Sequence, residues 1–338
     1  MRSRLFLFGR SLSLLCLVTL LFVSCQKEDG AKRFSIFTES YRGTAKVVVD
    51  GLSSSWRAGD GIWVNGEQGT VALDDGAPIL DIHVTSWGGY YASYPASFVE
   101  GGNQNGTLTL TLPQAYQYRE DATTHKQLLE MPMVAYTVND RLEFKHLTGA
   151  LVVEVPHVTR DIVLDYIMVR SSTSPLSGTG TVDVRAENPQ VVFESDTTHT
   201  VVMYFDRCPV TIANSESPKS IMIPIAPTTG NDHKFTVTVC AHSHYTPLEF
   251  FFLNKESNAG NLMRNEVAVA PVPVDKFTST DIPLVGSGTQ PSPYLIQNKG
   301  DYKNFLKILT YDNGRDKCYT LVNDIDFGGD TVTSVTYQ

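Results

Sequence analysis

Apolar and polar residues alternate with a period of two along much of the chain. The stretch "GTLTLTLP" interleaves threonine with leucine, and "KFTVTVCAH" and "SIMIPIAP" place large apolar residues at every second position. Such alternation predicts strands with one buried face. "DIVLDYIMVR" and "TVVMYF" are apolar at nearly every position and predict strands buried on both faces. Turn-forming clusters such as "VEGGNQNG" separate these segments, so the pattern predicts an all-β protein.

The strand-like segments extend from residue 34 to residue 271, which is more than one small sandwich holds. The pattern is interrupted at Pro156. We therefore predict two tandem Greek-key β-sandwich domains, 34–155 and 156–271, followed by a Pro/Thr-rich linker, 272–285. Pro224 lies inside the strand "SIMIPIAP", and because proline has no N–H to donate, this strand is expected at a sheet edge.

The pattern changes to a helical period after the linker. Tyr302, Phe305, Leu306 and Leu309 recur at i, i+3, i+4 and i+7, which predicts a helix that Asp301 can cap. The strand-like "CYTLVNDIDFGG" follows. Residues 286–338 are thus expected to form a third, short unit with one helix.

The first 24 residues resemble a secretory leader. A basic start with three arginines precedes an apolar run of about a dozen residues, which is shorter than the ~20 residues that span a bilayer. No second apolar run of spanning length follows in the sequence. We predict that 1–24 is a lipoprotein signal peptide.

Cys25 ends this apolar run in the order Val23-Ser24-Cys25, which resembles a bacterial lipobox. Phe22 stands where that pattern usually has leucine. The resemblance implies that Cys25 is acylated and becomes the new amino terminus, with 25–33 as a lipidated tether. Two or three acyl chains anchor a protein stably, whereas one holds only marginally.

The residues after Cys25 resemble an export signal of some Gram-negative anaerobes, in which Gln-Lys precedes acidic residues. The matching positions are Gln26, Lys27, Glu28 and Asp29. The resemblance implies a lipoprotein on the outer face of the outer membrane, although a charged tether alone would have the same composition.

Charge and cysteine content narrow the possible partners. The chain has 36 acidic against 27 basic residues and a net charge of −9, without a basic run, so we expect no nucleic acid partner. Beyond Cys25 the cysteines are Cys208, Cys240 and Cys318. A Cys208–Cys240 bridge is the most plausible pairing in an oxidising compartment, but the sequence leaves the pairing open.

An ordered set of motifs between residues 44 and 155 resembles the fimbrillin family. "SSSWRAGDGIWV" matches Ser/Thr-x-Trp-x-x-Gly-Asp-x-Ile-x-Val, and "YYASYPAS", "LTLTLPQAYQY", "PMVAYT" and "LEFKHLTGALVVEV" follow in the family's order and spacing. "PIAPTTGN" and "NLMRNEVAVAPV" fit the second domain more loosely. Read from the residues alone, Trp56 closes the core at a strand end and His146 is a structural histidine.

The resemblance implies transthyretin-like sandwiches and a pilus stalk, anchor or tip protein, or a related surface lipoprotein. Stalk subunits of the family lose their first strand to an Arg-specific protease, and a strand of a neighbouring subunit replaces it. Arg33 and Arg42 are the candidate cleavage sites here. We favour ordinary surface arginines, because the segment before the first strand is short and the chain continues past the second sandwich.

The tail carries "GSGT", "PYLI", the predicted helix and "YTLVNDIDF" in this order. This set resembles the entry to a right-handed parallel β-helix of bacterial surface proteins. A solenoid needs about three repeats to bury a continuous core, and the sequence ends after roughly one, so we expect an incomplete module. Either the product is truncated, or a short cap docks on the second sandwich. Asp324 and Asp326 could form a Ca²⁺ or catalytic pair, but turn and rung positions are the favoured interpretation.

No catalytic motif is evident. The sequence has no Gly-x-Ser-x-Gly, His-Glu-x-x-His or Walker loop. His242 and His244 could share a strand face, but no third ligand is visible nearby. We therefore predict no enzyme activity, no cofactor, no catalytic residue and no metal site.

Three functions remain open. The favoured one is an outer-membrane-anchored surface lipoprotein of fimbrillin type that acts in adhesion or as a pilus anchor or tip component. Its partners would be the membrane, other fimbrillin-type subunits, or host or bacterial surface ligands. The alternatives are a polymerising stalk subunit cleaved after Arg33 or Arg42, and a carbohydrate-binding or carbohydrate-active surface lipoprotein.

Overall fold

A computed structural model of the chain describes residues 31–41, 56–155, 161–213, 219–230, 233–243, 250–257, 260–272, 284–297, 299–311 and 317–325. These residues form an all-β structure with one α-helix near its end, as the alternating pattern predicts. The strands are β1 (Lys32–Thr38), β2 (Gly61–Val64), β3 (Glu67–Thr70), β4 (Ala72–Asp74), β5 (Ala77–Ile82), β6 (Tyr90–Tyr94), β7 (Val99–Gly102), β8 (Thr107–Leu112), β9 (Ala115–Gln117), β10 (Met133–Thr137), β11 (Arg141–His146), β12 (Gly149–Val155), β13 (Ile162–Ser171), β14 (Ser177–Asp183), β15 (Val192–Thr198), β16 (Thr200–Tyr204), β17 (Thr211–Ile212), β18 (Lys219–Ile225), β19 (Phe235–Ser243), β20 (Phe250–Ser257), β21 (Val267–Pro271), β22 (Tyr294–Ile296) and β23 (Tyr319–Leu321), and the helix is α1 (Lys299–Tyr311).

The first sandwich is built on an eight-stranded sheet in the order β3-β2-β6-β10-β11-β1-β5-β4. The sheet curls until β3 contacts β5, as strongly twisted sheets do. Its inner face therefore encloses a core made by its own strands. Phe34, Ile62, Leu80 and Phe144 are fully buried in this core.

A four-stranded sheet in the order β15-β14-β8-β7 covers the outer face of the eight-stranded sheet. Leu108, Leu110 and Leu112 of β8, the leucines of the alternating stretch, pack there with Val182 and Trp63. The hairpin β14–β15 lies within predicted domain 156–271, whereas β7 and β8 lie within 34–155. The pairing of β8 with β14 therefore joins strands from the two predicted domains. The domain boundaries themselves stay predictions.

The second sandwich packs the three-stranded sheet β18-β12-β21 against the sheet β20-β19-β13-β16-β9, in which β17 also pairs with β13. Ile221, Ile223 and Ile225 of β18 are buried in the core between the sheets, as the alternation predicts. Phe235 of β19 lies in the same core. Pro224 lies on β18, which is an edge strand, as expected for a residue without an N–H.

The turn that precedes β2 packs as its sequence predicts. The ring of Trp56 lies 4.8 Å from that of Tyr94 and 5.0 Å from that of Phe144. Its indole N–H donates to Thr38 Oγ1 at 2.9 Å. Gly59 has a φ of +93°, a left-handed conformation that favours glycine and turns the chain into β2. Trp56 thereby closes one end of the first core.

The tail contains two parallel strands, β22 and β23, separated in sequence by α1. The helix begins at Lys299, so Asp301 lies in its first turn and does not precede it. The Asp301 carboxylate reaches back and accepts the backbone N–H of Gln297 at 3.1 Å. Within the described ranges, no helix has both the length and the apolar character that a membrane span requires.

Candidate functional site

Of the residues singled out by the lipoprotein and cleavage hypotheses, Arg33 lies within the described part of the chain. Cys25, the export-signal residues Gln26 to Asp29, and Arg42 lie outside it. Arg33 is the second residue of β1. The candidate functional site is therefore β1 and the residues that hold it.

Strand β1 lies in the interior of the eight-stranded sheet. It pairs in parallel with β11, where Ser35 is opposite Arg141, and antiparallel with β5, where Arg33 is opposite Asp81. Its side chains alternate as a half-buried strand requires, and Phe34 and Ile36 are buried in the core. Because β1 has neighbours on both sides, its removal would open a slot in the sheet.

Arg33 forms ion pairs on the exposed face of this sheet. Its Nε donates to Asp81 Oδ1 at 2.8 Å, and its Nη1 lies 3.2 Å from Asp74 Oδ2. The guanidinium hydrogen bond lowers the pKa of the Asp81 carboxyl. The peptide bond after Arg33 lies within the paired part of β1. A protease that binds extended backbone therefore requires β1 to leave the sheet before it can cleave there.

A second set of contacts holds the chain just after β1. We call Glu39, Tyr41, His146 and Arg264 the clamp. Glu39 Oε1 accepts the backbone N–H of His146 at 2.6 Å and a hydrogen bond from Arg264 Nη1. Arg264 Nη1 also donates to the His146 carbonyl at 2.9 Å. The clamp thus ties the exit of β1 to a loop that precedes β21.

His146 has a structural position in this clamp. Its ring stacks on Tyr41 at 4.2 Å, and its Nδ1 lies 3.3 Å from the Tyr41 hydroxyl. The residue is fully buried, and burial lowers its pKa to about 4. The imidazole is therefore neutral at physiological pH, as expected for a histidine that packs and hydrogen-bonds in a core.

Replacement of Arg264 by methionine is expected to lower the free energy of unfolding by about 2–3 kcal/mol, because the Glu39 carboxylate loses its cation in a largely buried setting. The Arg264 side chain is only 8% exposed. Urea unfolding of the purified protein measures the change. The matched control is Arg33→Met, whose ion pairs are exposed and whose loss should leave the midpoint unchanged. Equal effects of the two variants would contradict the clamp.

Two of the other residues with candidate chemistry meet at Asp165. His242 Nδ1 lies 3.2 Å from Asp165 Oδ1, and the Cys240 thiol lies 3.6 Å from the same carboxylate. His244 and Asp326 lie outside the described residues, whereas Asp324 lies within them. No cluster of three or more potential metal ligands exists in the ranges that the structure covers. Cys208, Cys240 and Cys318 form no disulfide in the structure, so the Cys208–Cys240 pairing is absent there.

The helix α1 docks on the outer face of the larger sheet of the second sandwich. Asp301 Oδ1 accepts from Arg170 Nη2 at 3.0 Å, and the Asn304 amide donates to the Tyr166 hydroxyl. Asp301 and Asn304 are both fully buried. We call these four residues the latch. Sequence analysis identified Asp301 as a helix-capping residue but not its contact with Arg170, and it missed the other three residues.

Comparison with known proteins finds distant structural similarity. No protein-family model matches the sequence, and no curated protein matches it. A candidate cell adhesion protein from Bacteroides ovatus is 13% identical with a TM-score of 0.40 over 72% of this chain and 92% of that one. A second from Bacteroides fragilis is 13% identical with a TM-score of 0.36 over 74% and 93%. A fimbrial protein from Bacteroides vulgatus is 10% identical with a TM-score of 0.28 over 73% and 96%. Identities and TM-scores this low carry no function from those proteins to this chain.

Proposed function

We propose that the protein is a cell-surface adhesion protein of fimbrillin type, anchored in the outer membrane by a lipid on Cys25. The observation that carries the proposal is the ordered set of fimbrillin-like motifs and its place in the fold. The Trp-Gly-Asp motif leads into β2, and the other motifs of the first domain coincide with β6, β8–β9, β10 and β11–β12. The motifs thus coincide with strands of the first sandwich and, at β9 and β12, with strands that continue into the second sandwich.

The anchor and tether complete this proposal. Cys25 precedes β1 by only a few residues, so a lipid there would hold the first sandwich close to the membrane. Gln26, Lys27, Glu28 and Asp29 would direct the lipoprotein to the outer face. The loops of the two sandwiches would then face outward and contact surface ligands or other fimbrillin-type subunits. Such a protein acts as an adhesin or as an anchor or tip component of a pilus.

A polymerising stalk subunit is the second candidate, and the position of β1 favours it. Cleavage after Arg42 would release β1 and open the slot between β11 and β5, into which a strand of a neighbouring copy could add. Cleavage after Arg33 would remove only the start of β1. The clamp opposes release, since Glu39 and Tyr41 precede Arg42 and are held by residues of β11 and the loop before β21.

The third candidate is a carbohydrate-binding or carbohydrate-active lipoprotein, and it rests on the structure of the tail. The parallel pair β22–β23 with α1 in the connection is compatible with the first rung of a right-handed β-helix. A longer product with further rungs would extend this unit. The docked position of α1 also suits a cap that ends at the second sandwich.

The experiment that tests the proposal is metabolic labelling of the native organism with palmitate, combined with gel electrophoresis of its outer membrane after gentle heating. We expect one labelled band that is accessible on intact cells. Cys25→Ala should abolish the label and the surface exposure, whereas the matched thiol variant Cys318→Ala should retain both. Deletion of the gene should reduce adherence of the cells to mucin-coated plates, and a plasmid copy should restore it.

The outcomes separate the candidates. A ladder of heat-sensitive multimers, with an unlabelled monomer that begins after Arg33 or Arg42, would replace the proposal with the stalk subunit. An unlabelled and uncleaved protein would disprove the lipid anchor. Unchanged adherence of the deletion strain would disprove the adhesion function while leaving the anchor intact.

A further inference from the structure

The clamp holds the chain directly after β1, and its histidine is fully buried. Glu39 follows the last residue of β1, and its N–H donates to the Phe144 carbonyl at 3.0 Å. The N–H of His146 donates back to the Glu39 carboxylate at 2.6 Å. These two bonds join the exit of β1 to the end of β11. The state of the His146 ring therefore bears on how firmly β1 is held at this end.

The site offers the His146 ring one hydrogen-bond partner. The ring stacks on Tyr41, whose hydroxyl lies 3.3 Å from Nδ1. Its Nε2 is buried and has no hydrogen-bond partner among the described residues. A neutral imidazole whose Nδ1 carries the proton leaves only a lone pair unsatisfied at Nε2. A protonated imidazole has an N–H on both nitrogens, so a charged donor would be buried without an acceptor, which costs more free energy.

The groups packed around the ring do not remove this cost. Glu39 on the exit of β1 favours a positive charge on the ring, whereas Arg264 on the loop before β21 disfavours it. On β10 the residue opposite His146 is Met133, which carries no charge. Tyr41 stays neutral, since burial raises its pKa. Burial has the largest effect and lowers the pKa of His146 from the ordinary value of 6.5 to about 4.

We propose that His146 makes the clamp an acid-sensitive gate on β1. When the ring takes up a proton, the clamp opens, and the exit of β1 separates from β11 and from the loop before β21. Water then supplies the second acceptor and solvates the charge, which the closed clamp does not do. The gate couples the acidity of the medium to the strand whose removal would open the slot in the eight-stranded sheet.

The direction of the pH effect follows from the pKa of His146 in the two states. In the closed clamp the pKa is about 4, and in the open clamp we expect the ordinary value of 6.5. The open state therefore binds more protons between these two values. Closure is most favourable above this window and weakens as the pH falls through it. The equilibrium constant for closure should fall roughly thirtyfold between pH 7.5 and pH 5.

This inference goes beyond the adhesion function, because it requires neither the lipid on Cys25 nor a surface ligand. The test is hydrogen exchange of the Glu39 and His146 amides in the purified full-length protein, corrected for the intrinsic pH dependence of exchange. Protection of these amides should fall roughly thirtyfold between pH 7.5 and pH 5. The amides of β8 should not lose protection with them, because the opening is local.

Two variants separate the gate from other effects of acid. His146→Gln removes the titrating group, so the protection of the Glu39 amide should no longer depend on pH in this range. The matched control is His199→Gln, since His199 is exposed in the connection between β15 and β16, outside the clamp. This control should keep the full pH dependence of the unmodified protein.

A second measurement does not depend on a variant that folds. Nuclear magnetic resonance titration of the unmodified protein with isotope-labelled histidine should give a midpoint for the His146 ring below pH 5. Unchanged protection of the Glu39 and His146 amides at pH 5, the same pH dependence in His146→Gln, or a midpoint at the ordinary histidine value would each overturn the gate. These outcomes do not bear on palmitate labelling or adherence, so the proposed function would stand.

Discussion

Replacement of Gly149 by alanine is expected to lower the free energy of unfolding by about 3 kcal/mol, because overpacking against fixed backbone cannot relax. A Cβ at this position would lie 2.5 Å from the Met263 carbonyl oxygen and 3.0 Å from that of Glu266. Both sides of the contact are hydrogen-bonded main chain, since Ala150 N–H donates to Glu266 and Asn265 N–H donates to Thr148. Urea unfolding of the purified variant measures the change.

The control for this substitution is Gly101→Ala in β7. A Cβ there meets no heavy atom within 4 Å, so the expected change is within ~0.5 kcal/mol. If the Gly149→Ala protein is as stable as the control, the prediction is wrong, and β12 and the loop before β21 can move apart without lowering the free energy of unfolding. The close approach of the loop before β21 also explains why the motif "HLTGALVVEV" has a glycine at position 149.

Replacement of Arg170 by methionine is expected to weaken the docking of α1 by about 3–5 kcal/mol at neutral pH, since it leaves the buried Asp301 carboxylate without its cation. The Asp301 side chain is fully buried and the Arg170 side chain is 18% exposed. Desolvation raises the pKa of Asp301 to about 6, even though Arg170 opposes this shift. Removal of Arg170 therefore removes the main group that favours the ionised form.

The effect of Arg170→Met should depend on pH. The docked state has the higher Asp301 pKa, so between the ordinary aspartate value of 3.8 and about 6 it binds more protons than the undocked state. The contribution of Asp301 to docking is thus larger below this window and falls as pH rises through it. We expect the defect of Arg170→Met to be smaller at pH 5 than at pH 7.5, because a protonated carboxyl needs no cation.

Hydrogen exchange of the α1 amides, corrected for the intrinsic pH dependence of exchange, measures docking directly. The expected loss of protection at pH 7.5 is roughly a hundredfold or more. The double variant Arg170→Met/Asp301→Asn is the control, since it has no buried charge and should show little pH dependence. Equal protection of α1 in all three proteins would disprove the latch.

Elements with strong local patterns could be predicted from the sequence. The alternating leucines of β8 and isoleucines of β18 are buried as predicted, and β13 is apolar on both faces because one face lies in the core and the other lies under the tail. Period-two alternation reports which face of a strand is buried, so these elements follow from local sequence. Trp56 and the turn at Gly59 follow for the same reason.

Strand partners could not be predicted in this way. β8 pairs with β14 and β1 pairs with β11, each across a long stretch of intervening chain. Alternation identifies a buried face but not the strand beside it, since any strand of suitable length can pair. The interior position of β1 therefore became evident only in the folded sheet.

The candidate sites were partly accessible from the sequence. Arg33 and His146 were identified, and His146 has the structural position that was predicted for it. The clamp partner Arg264 and the latch residues Arg170, Tyr166 and Asn304 were missed, because a local pattern does not show which distant polar side chains meet in the fold.

The interior position of β1 has a mechanical consequence. In a protein held at its amino end and pulled through a bound ligand, tension enters through β1. Its hydrogen bonds to β5 on one side and β11 on the other lie across the strand, so a pull along β1 loads them together in shear. A strand at a sheet edge, pulled sideways, would peel one bond at a time. If the chain is anchored at Cys25 as proposed, the strand next to the anchor would resist force along its whole length.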